Sequence, residues 1–230
     1  MFSIVIPIYN EAQNLVKLIN EINSSLKKFH SYEIILINDA SKDDTINIIN
    51  NNLLGEKIKL LNNEKNKGQS FSIFKGIKEA NYEIIVTLDG DGQNNPKDIP
   101  KLLEFYTFHK NIFLVGGIRK KRLDNYVKII SSKVANKIRS AILKDNCADT
   151  GCSLKVFSRS VFLSFPYFNG IHRFLPSLFN GYNYECHYMF VDHRAREKGI
   201  SKYGTFDRLY RGIIDILKVR KIIKEKNLSL

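Results

Sequence analysis

The sequence is poor in the residues that would mark several classes of protein. Its 230 residues include no tryptophan, two methionines and three cysteines, Cys147, Cys152 and Cys186. Three cysteines do not make a disulfide framework, and their spacing matches no zinc-binding pattern, so we expect buried thiols in a reducing compartment. No segment reaches about 18 uninterrupted apolar residues, and no charged region precedes the short apolar run at the N-terminus. The sequence therefore predicts neither a membrane span nor a signal peptide.

Basic residues are in excess, and the excess is local. The chain has 36 Lys and Arg against 23 Asp and Glu, a formal net charge of +13. Residues 1–115 hold 13 basic and 14 acidic side chains, a net charge of −1, whereas residues 116–230 hold 23 and 9, a net charge of +14. A charge of this size indicates an anionic partner for the second half: nucleic acid, a membrane surface or phosphorylated substrates.

Short Ile/Val/Leu runs alternate with amphipathic helical patterns in the first half. The predicted elements are strand Ser3–Ile8, helix Glu11–Leu26, strand Glu33–Ile37, helix Asp43–Asn51, strand Ile58–Leu61, helix Gln69–Ala80, strand Glu83–Leu88, helix Lys101–His109 and strand Phe113–Gly117. Asn10 stands where the N-cap of the first helix is expected. The order predicts an α/β fold with a Rossmann-like, doubly wound, mostly parallel sheet, in one domain over residues 1–230.

Two basic amphipathic patterns lie in the second half. The first spans Tyr126–Leu143, where an apolar face that includes Ile138 and Ile142 is predicted opposite a cationic face that includes Arg139. The second, near the end of the chain, sets apolar Phe206, Leu209, Ile213, Ile216 and Leu217 against Arg208, Arg211, Lys218, Arg220 and Lys221. We interpret both as interfacial helices on an anionic membrane, with burial of the apolar faces against the same domain as the alternative.

Acidic residues follow the fourth predicted strand, in Leu88-Asp89-Gly90-Asp91-Gly92-Gln93. Two carboxylates at this spacing repel each other unless a cation neutralises them, and hard oxygen ligands suit Mg²⁺ or Mn²⁺. Asp39 closes the second strand and Pro7-Ile8-Tyr9-Asn10-Glu11 closes the first. Because ligands of open α/β sheets bind beyond the carboxyl ends of the strands, these three strand ends predict a site for a nucleotide-type ligand.

Together these stretches resemble a known family. The signature of the family 2 glycosyltransferases with the A-type fold is similar to Pro7-x-Tyr9-Asn10-Glu11, Asn38-Asp39-Ala40-Ser41, Asn66-Lys67-Gly68-Gln69 and Asp89-x-Asp91-x-Gln93. In the second half, the polyprenyl-phosphate branch, typified by dolichyl-phosphate mannose synthase, is similar to 115–119, to 149–155 and to Arg196-x-x-Gly199-x-Ser201-Lys202-Tyr203. The segment His172-Arg173-Phe174-Leu175-Pro176 resembles an acceptor-side segment of the same branch, with a packed histidine as the alternative.

The resemblance implies an activity. It implies inverting, metal-dependent transfer of one sugar from a nucleoside diphosphate sugar, GDP-mannose by default, to a dolichyl or undecaprenyl phosphate. Residues 1–115 would form the nucleotide-sugar half and residues 116–230 the acceptor and membrane-facing half. The protein would be cytoplasmic and peripheral on the inner face of the cell membrane, either by itself or through a separate membrane protein as partner.

The resemblance also assigns roles to residues. Donor binding falls to Pro7, Tyr9, Asn10, Glu11, Asp39, Gly68, Gln69, Asp89, Arg196, Ser201 and Lys202. The metal, Mg²⁺ or Mn²⁺, falls to Asp89, Asp91 and Gln93, and the acceptor phosphate to Arg119, Lys128 and Ser132. The catalytic set is Asp89, Asp91, Arg119 and Asp149. A phosphate acceptor is already anionic, so the requirement is for cations that bring two phosphorylated substrates together.

Three other functions are compatible with parts of the sequence. A glycosyltransferase of envelope glycan synthesis could use a UDP-sugar and a saccharide or lipid hydroxyl, which needs a base, with Asp149 as the candidate. An inactive family member would have lost the acidic motif, which is intact here. A nucleic-acid-binding protein would explain the charge, but the basic stretches carry no recognition motif and no aromatic stacking platform, so we expect no nucleic-acid partner.

Overall fold

The computed structural model describes residues 1–120, 136–195 and 205–228, without the side chains of 205–211 and 227. The strands are β1 (Phe2–Ile8), β2 (Tyr32–Asn38), β3 (Ile58–Asn62), β4 (Ile84–Thr87), β5 (Ile112–Arg119), β6 (Lys155–Ser158) and β7 (Glu185–Val191). The helices are α1 (Ala12–Ser25), α2 (Thr45–Asn52), α3 (Gln69–Lys78), α4 (Ile99–Phe108), α5 (136–143), α6 (Arg159–Ser164), α7 (Leu175–Gly181) and α8 (Thr205–Leu228). Single 3₁₀ turns span Pro96–Asp98 and Ile171–Arg173.

The seven strands form one sheet in the order β3-β2-β1-β4-β6-β5-β7. Every neighbouring pair is parallel except those that β6 makes, which are antiparallel to β4 and to β5. The predicted mostly parallel α/β sheet is confirmed. The carboxyl ends of β1, β2 and β4 therefore meet at one edge, which is where the sequence placed its polar motifs.

Buried apolar side chains fill both faces of the sheet. One face packs against α1 and α4 through residues such as Leu18 and Leu102, and the other against α3, α6 and α7 through residues such as Ile77 and Phe162. Helix α3 lies close to the strands because Gly76 has no side chain: a Cβ there would be 2.6 Å from Ile37 Cδ1. This close packing fixes where the first turn of α3 stands at the carboxyl edge.

Several local expectations differ from the structure. Strands β6 and β7 were not predicted, and α1 has Glu11 rather than Asn10 at its N-cap position. Asn10 instead adopts a positive φ of 55° and ties the ends of two strands together. Its N–H donates to Ser41 Oγ at 2.9 Å, and its Oδ1 accepts from the Lys42 N–H at 2.7 Å. The residue therefore shapes the turn after β1 instead of capping a helix.

In the helices of the two basic patterns, some of the side chains that are buried and exposed differ from those predicted. In α5, Arg139 is only 4% exposed, so its predicted place on an exposed cationic face is wrong, whereas Ile138 and Ile142 are 52% and 39% exposed; residues 126–135 lie outside the described ranges. Helix α8 buries Val219 and leaves Leu217 exposed. Within the described ranges, no helix combines the length and the apolar character needed to cross a bilayer.

Candidate active site

Asp39 organises the loop that leads into α3. Its Oδ1 accepts hydrogen bonds from Asn63 Nδ2 and from the Lys67 N–H, each at 2.8 Å, and its Oδ2 accepts from the Gly68 N–H at 2.8 Å. The Asn66 side chain also donates to the Asp39 carbonyl at 3.3 Å. A carboxylate offers about four lone-pair positions, so one acceptor position remains for a ligand N–H. The buried strand end thus forms a rigid polar cradle.

The first turn of α3 connects this cradle to the acidic motif. Gly68 has φ 85°, a left-handed conformation that suits glycine, and α3 begins at the next residue. Gln69 Nε2 then donates to Asp89 Oδ1 at 2.7 Å. The structure therefore brings Asp39, Gly68, Gln69 and Asp89, all predicted from the sequence, to one edge of the sheet.

The two carboxylates of the acidic motif repel each other, as expected of a site that holds a cation. Burial, followed by the charge of Asp91, raises the pKa of Asp89 to about 6, and it does so against Ser153, Lys155 and Arg119, which lower it. Gly90 allows the tight approach of this turn to β1, because a Cβ there would lie 3.3 Å from the Pro7 carbonyl oxygen. A nearby cation would relieve the repulsion.

These two carboxylates fit Mg²⁺ or Mn²⁺ shared with a substrate. In the part of the chain that the structure describes, no three His, Cys, Asp or Glu side chains cluster as a complete metal-binding set. Mg²⁺ in nucleotide sites is commonly held by one or two carboxylates together with phosphate oxygens. The pair Asp89 and Asp91 therefore matches a metal whose remaining ligands come from a diphosphate.

Glu11 and Tyr9 lie at the same edge, after β1. Glu11 is buried; its N–H donates to Thr45 Oγ1 at 3.1 Å and its Oε2 accepts from Asn14 Nδ2 at 2.7 Å. Tyr9 is half-buried. The motif after β1 thus helps to form the carboxyl edge of the sheet, where a ligand could contact it.

Gln93 has a role that the sequence did not indicate. Its carbonyl accepts from the Arg194 N–H at 2.9 Å, and its Nε2 donates to the Arg194 carbonyl at 3.3 Å. Arg194 in turn donates to Glu21 Oε2 at 2.7 Å and to Asn95 Oδ1 at 2.8 Å. Gln93 therefore fastens the segment after β7 beside the acidic motif, and its predicted role as a metal ligand stays a prediction. Because Gln93 and Arg194 are 101 residues apart in the sequence, no local sequence pattern indicates their contact.

Arg119 and Asp149 form a buried bidentate ion pair. Arg119 Nε donates to Asp149 Oδ2 and its second guanidinium nitrogen, Nη2, to Asp149 Oδ1, each at 2.7 Å. The Arg119 N–H also approaches Asp149 Oδ2 at 3.3 Å. A Cβ on Gly151 would lie 3.0 Å from Arg119 Nη2, so the pair stands directly behind this glycine. The structure joins two residues that the sequence had given separate roles.

A pocket of about 560 Å³, including its open mouth, adjoins Asp89 on the side of α3. Its walls include Gln69, Gly151, Ser153, Lys155, His172 and Arg173. The pocket is open to solvent and can admit part of a ligand. Lys155 ends the stretch 149–155 that carries part of the family resemblance, but the sequence assigns it no role in the site.

His172 is held neutral in this wall. Burial, helped by the charges of Arg173 and Lys155, lowers the pKa of His172 to about 3. Its Nδ1 lies 2.6 Å from Ser70 Oγ, which accepts from the Gly170 N–H at 2.8 Å. We assign the Ser70 hydroxyl hydrogen to Nδ1, which leaves the ring hydrogen on Nε2. His172 is thus a packed, hydrogen-bonded histidine, and it also forms part of the pocket wall.

The remaining predicted site residues lie outside the described ranges. These are Lys128, Ser132, Arg196, Ser201 and Lys202. The three cysteines are free, with Cys147 and Cys152 buried and Cys186 half-buried, as expected of thiols without a disulfide framework.

Solved structures share this fold. The crystal structure of glucosyl-3-phosphoglycerate synthase from Mycobacterium tuberculosis with Mn²⁺, UDP and glucosyl-3-phosphoglycerate has a TM-score of 0.71 and 18% identity, over 96% of this chain and 79% of that one. The same enzyme with Mn²⁺, UDP-glucose and phosphoglyceric acid gives a TM-score of 0.73 at 16% identity, over 96% of this chain and 80% of that one. At such identities the likeness shows the fold alone.

Curated relatives are closer in sequence. The dodecaprenyl-phosphate galacturonate synthase of Rhizobium johnstonii is 33% identical over 97% of this chain and 68% of its own length. The undecaprenyl-phosphate 4-deoxy-4-formamido-L-arabinose transferase of Aeromonas hydrophila is 31% identical over 89% of this chain. This chain spans 63% of the length of that relative. A family model described as glycosyl transferase family 2 matches residues 3–164, more than half of the sequence, and the chain belongs to this family.

Proposed function

We propose that the protein transfers a single sugar, with inversion, from a nucleoside diphosphate sugar to a polyprenyl phosphate. The donor nucleotide would lie at the carboxyl edge, with its base and ribose against the Asp39 cradle and its diphosphate beside Asp89 and Asp91. The similarity to the R. johnstonii enzyme over 97% of the chain supports a polyprenyl phosphate acceptor.

The observation that carries the choice of acceptor is the Arg119–Asp149 pair. A hydroxyl acceptor needs a base, and Asp149 was the candidate for it. Both Asp149 oxygens accept hydrogen bonds from the Arg119 guanidinium at 2.7 Å, so this carboxylate orients a cation. A phosphate acceptor brings its own negative charge and needs no base. The geometry therefore favours a phosphate over a saccharide or lipid hydroxyl.

Asp89 and Asp91 would hold Mg²⁺ or Mn²⁺, which would neutralise the negative charge of the diphosphate and so favour departure of the nucleoside diphosphate. Gln69 positions one carboxylate by donating to Asp89 Oδ1. Arg119 would face the acceptor phosphate while Asp149 holds its orientation, and Gly151 leaves room between this pair and the pocket. The protein's own contribution is thus to align two anionic substrates and to stabilise negative charge.

The setting we propose is the cytoplasmic face of the cell membrane, where the protein would be peripheral or held by a separate membrane protein. The exposed apolar side chains of α5 and α8, among them Ile138, Ile213 and Leu217, support contact with a lipid surface. The basic side chains nearby would favour anionic lipids.

The test is incorporation of sugar into glycolipid. Purified protein is incubated with Mg²⁺ or Mn²⁺, undecaprenyl phosphate in vesicles, and a panel of GDP-mannose, UDP-glucose, UDP-N-acetylglucosamine and UDP-galacturonic acid. We expect a glycosyl phosphate lipid with at least one donor, and loss of product on chelation. The same assay with undecaprenol in place of its phosphate should give no product.

Two variants control this test. Asp91→Asn should lower turnover by roughly 100-fold or more, because one of two metal carboxylates is lost. Asp192→Asn removes an exposed carboxylate whose partner is Lys120 at 3.4 Å, and should leave turnover unchanged. Equal use of undecaprenol and its phosphate would favour the hydroxyl-acceptor alternative, and the absence of product with every donor would refute the proposal.

A further inference from the structure

Lys155 is a buried cation without a carboxylate partner. It is 3% exposed, and its Nζ donates to two backbone carbonyls, those of Thr150 and Cys152. Among the described residues no carboxylate lies within ion-pair distance of it, although other cations of the site are paired: Arg119 with Asp149, and Arg173 with Asp215 at 2.6 Å. A buried charge normally needs an opposite charge, and an ammonium has three hydrogens to donate.

Arg173, in the same pocket wall, has an unsatisfied donor. Its Nε is buried and has no hydrogen-bond partner in the described structure, although its terminal nitrogen binds Asp215 of α8. Unsatisfied buried donors are rare in folded proteins and require an explanation. This donor, in the same wall as a buried ammonium with no carboxylate of the described residues at ion-pair distance, indicates that the wall is completed by an anionic oxygen group from a ligand.

The position of the pocket identifies which part of a ligand would reach this wall. Gln69 and Asp89 line its near side, where the proposed function places the donor diphosphate, so the donor sugar would enter this space. A second, smaller pocket of about 290 Å³ lies beside Asp91 on the side of α1, and its lining includes the ion pair of Arg194 with Glu21. The larger pocket is the better place for the sugar.

The other wall groups are arranged to accept from sugar hydroxyls. Thr87 Oγ1 donates its hydrogen to the Ser153 carbonyl at 2.7 Å, and Ser153 Oγ donates to Asn94 Oδ1 at 2.5 Å. Both hydroxyl hydrogens are thereby used, which leaves the two oxygens as acceptors. The far wall, with Lys155, Arg173 and the assigned Nε2–H of His172, offers donors only.

We infer that Lys155 and Arg173 form an anion-binding subsite for the carboxylate of a uronic acid, and that the donor is a nucleoside diphosphate uronic acid. This inference rests on the proposed function and names its sugar class. Hydroxyls donate as well as accept, so a neutral hexose would leave the Lys155 ammonium without an opposite charge at ion-pair distance. A carboxylate accepts only, and it would neutralise Lys155.

The test compares donors that differ only at this group. UDP-glucuronic acid and UDP-galacturonic acid are compared with UDP-glucose and UDP-galactose, under the same metal and undecaprenyl phosphate, by kcat/KM and by equilibrium binding to the wild-type protein. We expect the acidic donors to be preferred roughly 10- to 100-fold, the range of one or two charge-assisted hydrogen bonds. Because this comparison uses the wild-type protein, it does not depend on the folding of any variant.

Variants then locate the preference. Arg173→Gln should lower kcat/KM for the acidic donor roughly tenfold or more and change that for its neutral counterpart little. Lys155→Met should lower kcat/KM for both donors, because Lys155 also lowers the pKa of Asp89, but the decrease should be roughly tenfold larger for the acidic donor. Arg173→Lys, which keeps the charge, should restore part of the preference. Lys28→Gln, an exposed charge change beyond the end of α1, is the matched control and should leave both values unchanged.

The outcomes separate this inference from the proposed function. No product with any donor refutes the proposed function itself. Product only with GDP-mannose, or equal use of acidic and neutral donors, leaves the proposed function standing and overturns the uronic acid assignment. A higher KM for undecaprenyl phosphate in both variants, with every donor affected alike, would show instead that the subsite takes the acceptor phosphate, which also overturns it.

Discussion

Asp39 shows how one carboxylate can shape a binding edge before any ligand arrives. Three hydrogen bonds, from Asn63 Nδ2 and from the N–H groups of Lys67 and Gly68, converge on its two oxygens. They fix the loop in which Gly68 takes its left-handed conformation and α3 begins. Since Gln69 follows and binds Asp89, the geometry of the acidic motif depends on Asp39 through one turn of chain.

Asp39→Asn tests this dependence. The amide has one accepting oxygen, so its NH₂ group must face at least one of the backbone N–H donors. We expect the free energy of unfolding to fall by about 1–3 kcal/mol, the cost of leaving a buried donor without an acceptor, and nucleotide affinity to fall with it. Chemical denaturation and titration with the nucleotide measure the two effects. Unchanged stability would contradict the role assigned to Asp39.

His172 makes stability depend on pH. Its pKa in the folded protein is about 3, below its ordinary value of 6.5, because burial and the neighbouring Arg173 and Lys155 disfavour the charged ring. Between these values the unfolded chain binds more protons than the folded one, so the free energy of unfolding falls as pH falls from about 6.5 toward 3. Above pH 6.5 this residue adds no pH dependence.

Replacing the histidine should remove that contribution. His172→Gln can still accept from Ser70 but cannot take up a proton, so its free energy of unfolding should decline less steeply in acid. The difference in slope is at most about 1.4 kcal/mol per pH unit, the value for one proton. Denaturation curves at intervals from pH 7 to 4 measure it. Identical slopes for the two proteins would count against a neutral His172.

The sequence predicts those site residues whose position follows from neighbouring elements. It does not predict those whose surroundings come from distant parts of the chain. Asp39, Gln69 and Asp89 follow strands or begin a helix, so the alternation of elements alone places them at one edge. Lys155 and Arg173 act through a cavity formed by segments from both halves of the chain. Nothing near either residue in the sequence indicates which side chains surround it.

At the scale of elements, α5 is held by an arginine that its sequence pattern assigns to the surface. Arg139 donates to Asp145 Oδ2 at 2.8 Å and Oδ1 at 3.1 Å, and also to Asn136 and Thr150 at 2.6 Å each. A period of 3.6 residues separates polar from apolar faces but does not show which face is buried. The prediction failed here because the buried partners, Asp145 and Thr150, come from the following loop.

Arg139→Met tests whether this network holds the helix. Asp145 would be left buried without its cation, and we expect the free energy of unfolding to fall by about 3–5 kcal/mol. The double variant Arg139→Met/Asp145→Leu removes both charges and should recover a large part of the loss. Lys137→Met, an exposed change two residues earlier, is the control. If the double variant is no more stable than the single one, the ion pair is not the cause.

The strands also differ in how clearly the sequence predicts them. Strands β1, β2 and β4 are largely buried and stand out as apolar runs. Strand β7 is a mixed segment, Glu185–Val191, with His187 and Tyr188 among its residues and only Val191 fully buried. Strand β6 is four residues long and antiparallel to both neighbours. Both lie beyond the regular alternation on which the prediction rested, so tertiary pairing decides them.

At the scale of the whole molecule, the excess of positive charge is not spread uniformly over a surface. Arg119, Arg139 and Lys155 are buried or nearly so, and two of them have acidic partners. The exposed cations Arg220, Lys221 and Lys224 lie on α8 beyond its exposed apolar residues. Among the described residues, the positive charge of the second half is thus partly buried and partly exposed on α8.

The surface of α8 carries the last prediction. Ile213 and Leu217 are 53% and 57% exposed and four residues apart, so they share one face of the helix, while Val219 is buried on another. If the protein is peripheral, these side chains enter the lipid interface while the basic residues contact anionic headgroups. We expect binding to vesicles containing phosphatidylglycerol, weaker binding to pure phosphatidylcholine, and a decrease as salt is raised.

The double variant Ile213→Ser/Leu217→Ser should bind these vesicles about tenfold or more weakly in a sedimentation assay, since two apolar side chains no longer leave water. Its turnover with a short, water-soluble polyprenyl phosphate should be unchanged, because neither residue lines the pocket. Leu54→Ser, at an exposed leucine between α2 and β3, is the control. If both proteins bind vesicles equally, α8 is not the contact, and a separate membrane protein becomes the better explanation of how the enzyme reaches a lipid acceptor.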